Sequence, residues 1–284
     1  MEIKFANVMG FCFGVRRAVE LAEKALEENK GKNVFSLGPL IHNEKVLQAF
    51  EKKGLSIIEE KNVNEIPAES VVIIRAHGVT DIIFKILEEK NCKIIDATCP
   101  RVKASQKMVE RYSMKNDYVI LTGDKNHGEV IGIAGYAGKN FCLIQDFKEA
   151  QNLNEDKFYD KNVILLSQTT YSPSEFEKIE KFLKEKIKNL VVMHTICPAT
   201  NERQDALLDL CKTVDGVLVI GGKTSANTKR LYQTAQKNCK NAALIQTAQD
   251  IPQHFFSLQK VGITAGASTP DEIIFEVQKK LEER

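Results

Sequence analysis

No apolar run in this chain approaches the roughly 18 residues that a membrane-spanning helix needs, so no span is expected. No sign of charge dominates either. Forty Lys and Arg stand against 38 Asp and Glu, and a net charge of +2 gives no electrostatic case for a nucleic-acid partner. The seven cysteines contain no Cys-x-x-Cys, which removes zinc ribbons and thioredoxin-type redox pairs. The longest apolar stretch near the start, Val8 to Val15, follows no basic segment and does not read as an export signal. With an odd cysteine count and no such signal, a disulfide framework is not expected. No Gly-x-Gly-x-x-Gly follows a strand, and Gly222-Lys223-Thr224 fails as a P-loop because Val217 stands where the first glycine is required. A soluble, cytoplasmic protein is therefore expected. Its 284 residues, 43% of them hydrophobic, suffice for about two domains of ordinary size.

Short apolar runs alternate with amphipathic stretches, the pattern of parallel α/β architecture. Strands are predicted over Val34 to Leu37, Val71 to Ile74, Lys93 to Ile95, Tyr118 to Leu121 and Phe141 to Ile144. Five more follow over Val163 to Leu166, Val191 to Met193, Gly216 to Ile220, Ala242 to Ile245 and Val261 to Thr264. Most are continuously apolar rather than alternating, as when both faces of a sheet are covered. Helical spacing is clear from Val15 to Leu26 and from Phe176 to Ile187, with Glu and Lys on the solvated face.

A weak repeat runs through this pattern. Asp96-Ala97-Thr98-Cys99-Pro100 and His194-Thr195-Ile196-Cys197-Pro198 each follow a strand and precede a helical stretch. Cys12, within Gly10-Phe11-Cys12-Phe13-Gly14, also precedes a helix. Three similar α/β units, each delivering one cysteine, explain the spacing, and units meeting at a centre would bring the thiols together. The expected boundaries are 14–98, 99–196, and 197–284 with 1–13. Cys92, Cys142, Cys211 and Cys239 sit in or beside predicted elements and read as small core residues.

Ligands of open α/β sheets bind beyond the carboxyl ends of strands. The residues there are Gly38-Pro39 with His42-Asn43, then Arg75-Ala76-His77-Gly78, then His127-Gly128-Glu129. Ser167-Gln168-Thr169-Thr170, Gly221 to Asn227 and Gly266-Ala267-Ser268 complete the set. Three of the five histidines fall in it, while His194 and His254 read as ordinary surface or packing residues. Ser225, Asn227 and Ser268 stand at expected helix starts, where they either cap the helix or meet an anion through backbone N–H groups. Glu129 could relay a proton to a bound substrate, and the hydroxyls of Thr169 and Thr170 could pass it on. A triad of Cys12, Cys99 and Cys197 without a fourth protein ligand suits an iron–sulfur cluster better than zinc. With three thiolates, one iron keeps an open position where a substrate oxygen can bind.

The segments GFCFGVRRAV, GPLIHN, IRAHGV, DATCP, GDKNHGEV, SQTT, TICPAT followed by NERQ, and GITAGASTP run from Gly10 to Pro270. In this order they resemble the 4-hydroxy-3-methylbut-2-enyl diphosphate reductase family. The resemblance implies three similar small α/β domains with parallel-type sheets, in a pseudo-threefold trefoil around one central [4Fe–4S] cluster. It implies Cys12, Cys99 and Cys197 as ligands, and His42, His77, Ser225, Asn227 and Ser268 around the substrate diphosphate. His127, Glu129, Thr169 and Thr170 would line the cavity near the substrate hydroxyl, with Glu129 as proton source. The family commonly has two serines before the asparagine, where this chain has Ser225-Ala226. The implied reaction is reductive dehydroxylation to isopentenyl and dimethylallyl diphosphate, the last step of the non-mevalonate isoprenoid pathway. Electrons would come from a ferredoxin- or flavodoxin-like donor, since the chain carries no flavin or nicotinamide signature. Two other readings stay open: an iron–sulfur dehydratase using its open iron only as a Lewis acid, and a non-enzymatic phosphate-binding module.

Overall fold

The computed structural model describes residues 1–158 and 160–283. Twelve strands among them form three four-stranded sheets, and every strand pairing is parallel. The chain opens with β1 (Glu2–Phe5) and α1 (Phe13–Glu28), then β2 (Val34–Leu37), α2 (Glu44–Lys52), β3 (Leu55–Ile58) and β4 (Val71–Ile74). Next come α3 (Asp81–Glu89), β5 (Lys93–Asp96), α4 (Pro100–Met114), β6 (Tyr118–Thr122), α5 (Gly128–Ala134) and β7 (Phe141–Ile144). Then follow α6 (Phe147–Gln151), β8 (Val163–Ser167), α7 (Pro173–Lys186), β9 (Leu190–Val192) and α8 (Pro198–Cys211). Last are β10 (Gly216–Ile220), α9 (Ala226–Asn238), β11 (Asn241–Ile245), β12 (Lys260–Ala265) and α10 (Asp271–Glu282). Each of the ten predicted strands forms, with ends shifted by at most a residue or two. β1 and β3 are additional.

The three sheets share one topology. In spatial order they read β3-β2-β4-β5, β7-β6-β8-β9 and, from the other edge, β11-β10-β12-β1. Numbered by chain order within each sheet, the first two are 2-1-3-4, and the third is the same when β1 is counted after β12. In the last, the N-terminal strand β1 supplies the fourth position. A helix follows each fourth strand: α1 after β1, α4 after β5 and α8 after β9. Pro100 and Pro198 stand at the first positions of α4 and α8, where a missing N–H is harmless and the fixed φ suits the helix.

Continuous apolar strands follow from two-sided cover. In β10, Leu218 and Ile220 join the core on one face, and Val217 and Val219 the core on the other. β6 does the same, with Ile120 on one side and Val119 and Leu121 on the other.

The chain divides into two compact units. One comprises Met1–Arg16, Ile41–Lys53 and Pro198–Arg284 and contains the β11-β10-β12-β1 sheet. The other, Arg17–Leu40 with Gly54–Cys197, contains the remaining two sheets. No helix among the described residues is long and apolar enough to cross a membrane.

Candidate active site

A 2-1-3-4 order reverses direction between strands 1 and 3, and the loops leaving their carboxyl ends diverge there to leave a crevice. Every polar residue singled out above lies in such a loop or at the start of the helix that follows. The cysteines lie after the fourth strands, and their backbone settles the equivalence. The Cys12 N–H donates to Ala267 O at 3.2 Å, that of Cys99 to Ala76 O at 2.9 Å, and that of Cys197 to Thr169 O at 2.8 Å. Each acceptor is the second residue past the end of a third strand, β12, β4 or β8. All three thiols are half-buried, and none is in a disulfide. Of the other four, Cys211 is buried and Cys92, Cys142 and Cys239 are packed against apolar clusters, which agrees with core roles. Burial pushes the Cys142 and Cys211 thiols up to about 11, the opposite of what a metal ligand needs.

In the first unit, the loops after β10 and β12 meet the segment Ile41 to Asn43. The Ser225 hydroxyl caps α9, accepting from Thr228 N–H at 3.3 Å. That bond uses a lone pair and leaves the hydroxyl proton to donate elsewhere, so capping and anion binding are compatible. Ser268 Oγ donates to His42 O at 3.1 Å, and Asn43 Nδ2 donates to Ser268 O at 3.0 Å. Gly222 is required here, because a Cβ would run into the His42 carbonyl oxygen. Asn227 is only 4% exposed, and its Nδ2 has no hydrogen-bond partner among the described residues. A buried amide donor without an acceptor costs about 1–3 kcal/mol, an arrangement that makes sense where a ligand supplies the acceptor. It stands in the first turn of α9, where the helix dipole also favours an anion.

In the second unit, Glu129, Thr169, Thr170, His127 and His77 form one network. Glu129 is 2% exposed. Its Oε1 accepts from Thr169 N–H at 2.6 Å and its Oε2 from the Thr169 hydroxyl at 2.7 Å. His127 caps α5, its Nδ1 accepting from Glu129 N–H at 3.2 Å. The His77 and His127 rings meet edge to face with centroids 5.1 Å apart. Gln168 Nε2 donates to Thr170 Oγ1 at 2.9 Å, while Gln168 Oε1 accepts from Asp124 N–H at 2.9 Å. Burial pushes the Glu129 carboxyl up to about 7; the Thr169 bonds oppose that shift and Asp124 adds to it. A carboxylic acid near neutrality, bonded to a hydroxyl that both accepts and donates, can hold a proton and release it along a defined path.

The remaining predicted residues behave as expected. His194 is largely exposed, close to Glu180 and the Phe176 ring, and exposed His254 packs on Phe255. Three features of the surroundings have no local sequence signal. The Arg75 side chain, paired with Glu60, lies so close to Gly38 and Gly128 that a Cβ at either would meet its guanidinium. Arg17 donates to Asp96 O and Thr98 O, both at 3.1 Å, beside Cys99. Arg203 donates to Gly10 O at 2.7 Å and Ala199 O at 2.9 Å.

Comparison with known proteins identifies the family and matches the fold. The sequence profile of the LytB protein family matches residues 3–282. A 4-hydroxy-3-methylbut-2-enyl diphosphate reductase of Treponema denticola is 47% identical, over 99% of both chains. The solved E-1-hydroxy-2-methyl-but-2-enyl-4-diphosphate reductase of Plasmodium falciparum superposes with a TM-score of 0.90 at 32% identity, covering 99% of this chain and 87% of that one. A second solved structure, described as the terminal enzyme of the non-mevalonate pathway, gives a TM-score of 0.74 at 35% identity, covering 100% of both chains.

Proposed function

This chain belongs to the LytB protein family, and we propose that it reduces 4-hydroxy-3-methylbut-2-enyl diphosphate to isopentenyl and dimethylallyl diphosphate. The reaction removes the allylic hydroxyl as water, consuming two electrons and two protons per turnover. It is the closing step of the non-mevalonate route to isoprenoids, carried out in the cytoplasm.

The observation that carries this reading is the equivalence of Cys12, Cys99 and Cys197. Each follows the fourth strand of a 2-1-3-4 sheet and hydrogen-bonds at the same register. The recurrence also supports three domains bounded at 14–98, 99–196, and 197–284 with 1–13. Three half-buried thiols outside any disulfide, with no fourth equivalent cysteine, fit the ligand set of a [4Fe–4S] cluster that keeps one position for substrate. A cluster held by Cys12, Cys99 and Cys197 would supply electrons and a Lewis-acid position for the C–O cleavage. Reducing equivalents come from a ferredoxin- or flavodoxin-like donor.

The chain's own groups bind and protonate. Ser225 donates its hydroxyl proton to the diphosphate, Ser268 does the same by exchanging its bond to the His42 carbonyl for one to the anion, Asn227 supplies its buried Nδ2–H, and the α9 N-terminus adds its dipole. His42 and His77 donate to the same anion. At the alcohol end, Glu129 holds a proton near neutrality, and the Thr169 hydroxyl, bonded to its Oε2, carries that proton towards the leaving oxygen. Thr170, fixed by Gln168, and His127, fixed by the Glu129 N–H, hold the substrate hydroxyl in place. Burial of Glu129 keeps bulk water from short-circuiting the transfer.

The test is anaerobic purification, iron and sulfide analysis, and turnover of the allylic diphosphate with a chemical reductant. Bound iron and sulfide with reductant-dependent formation of both products is the expected result. An iron-free protein that still binds diphosphate would make it a phosphate-binding module. Turnover without consumption of reductant would make it a Lewis-acid dehydratase.

A further inference from the structure

Arg203 is 3% exposed, an expensive place for an arginine unless its donors are used. It lies in α8, and its two Nη atoms reach two carbonyls at once. Nη2 donates to Gly10 O at 2.7 Å and Nη1 to Ala199 O at 2.9 Å. Gly10 stands two residues before Cys12, and Ala199 two residues after Cys197. We propose that Arg203 is a positioning residue for the cluster thiolates, locking the backbone of the Cys12 loop to the first turn of the helix that begins after Cys197.

The local backbone explains why a long, forked donor is needed. Gly10 has φ +73°, a left-handed conformation that turns its carbonyl away from the strand pattern. Its N–H donates to Ala265 O and that of Cys12 to Ala267 O, so the N–H groups of this loop are held by the chain leaving β12. Arg203 holds the Gly10 carbonyl from the other side, through a charge-assisted bond. Lysine could satisfy one carbonyl but lacks the fork that spans both. The device recurs elsewhere. Arg17 grips Asp96 O and Thr98 O, three residues and one residue before Cys99. Thus two of the three thiol-bearing loops have backbone carbonyls fixed by an arginine from another segment of the chain.

This proposal rests on the cluster reading, and its test separates the two. Hydrogen exchange is measured on peptides covering residues 8–13 and 95–99 of wild type, Arg203→Met, Arg203→Lys and Arg17→Met. Iron release to a chelator is followed in the same anaerobic proteins, with thermal unfolding as a check on folding. In Arg203→Met, exchange at residues 8–13 should rise about tenfold or more while residues 95–99 stay protected, because the opening is local. Arg17→Met should show the reverse pattern. Iron release should quicken in both, with Arg203→Lys between wild type and Arg203→Met. If Arg203→Met does not fold, Arg203→Lys against wild type decides. Wild-type exchange at residues 8–13 in a folded Arg203 variant would overturn the proposal. So would an equal rise in every peptide, the mark of general destabilisation. An iron-free wild type would overturn the cluster reading instead, and the exchange measurements would still decide whether Arg203 positions the Cys12 loop.

Discussion

Replacing Glu129 by Gln should change how stability depends on pH, by an amount that follows from its burial. The carboxyl ordinarily titrates at 4.5 and is pushed up to about 7 in the folded chain. Between these values the folded protein keeps a proton that the unfolded chain releases, so stability falls as pH rises. The favourable contribution is complete below the unfolded value and is lost progressively as pH climbs through the folded one. At about 1.4 kcal/mol per pH unit, the total comes to about 3 kcal/mol. Glutamine fills the same volume, its oxygen still accepts the Thr169 N–H, and it does not titrate. The stability of Glu129→Gln relative to wild type should therefore improve with pH and level off above neutrality. For a chain of this size about 3 kcal/mol corresponds to about 6 °C in Tm. Thermal unfolding of both proteins in a series of buffers from about pH 5 to about pH 8 reads most of this directly. Parallel curves would refute the reasoning and mean that Glu129 is ionised in the folded protein throughout.

The same substitution removes the proposed acid, so turnover should fall by about 10²–10⁴-fold while diphosphate binding persists. In wild type, kcat should decline as pH rises past about 7, where Glu129 gives up its proton; a flat profile would point to another proton source. Gly222→Ala should raise KM and lower stability by about 1–3 kcal/mol, because the new Cβ displaces the His42 carbonyl; unchanged KM and Tm would place that carbonyl away from substrate binding. Ala226→Ser adds a hydroxyl at the first residue of α9, already flanked by the Ser225 cap and the Asn227 amide. KM should fall modestly or not at all with kcat unchanged, as uniform binding requires. A tenfold change in kcat would put position 226 at the reacting end.

The strands that read most plainly in the sequence are those whose neighbours cover both faces, although the partly buried edge strands β5, β7, β9 and β11 were also legible. Val71–Ile74 and Gly216–Ile220 are buried along their whole length and read as unbroken apolar runs. β1, with sequence Glu-Ile-Lys-Phe, and β3, with Leu-Ser-Ile-Ile, lie at sheet edges and are only partly buried, so polar residues interrupt the signal. Cys12 assigns residues 1–13 to the third unit, but without β1 the sequence does not show that they complete its sheet as a fourth strand. The repeat showed in the two Cys-Pro steps, but Cys12 has Phe13 in place of proline, and only the hydrogen-bond register makes it equivalent to the others. Glu129, Thr169 and the serine–asparagine cap were readable because each sits in a short loop after a strand or in the first turn of the helix that follows it. Arg17, Arg203 and the Arg75–Glu60 pair were not, since a side chain reaching a backbone carbonyl across 79 or 193 residues leaves no periodicity to detect.

The central claim is that three of the seven cysteines hold iron and four do not. Iron content and visible absorbance of the anaerobically purified protein, compared across all seven single Cys→Ser variants, test it most directly. Cys12→Ser, Cys99→Ser and Cys197→Ser should each lose or degrade the cluster, and serine at 92, 142, 211 or 239 should leave iron near wild type. Loss of iron in Cys142→Ser with retention in Cys99→Ser would contradict the account.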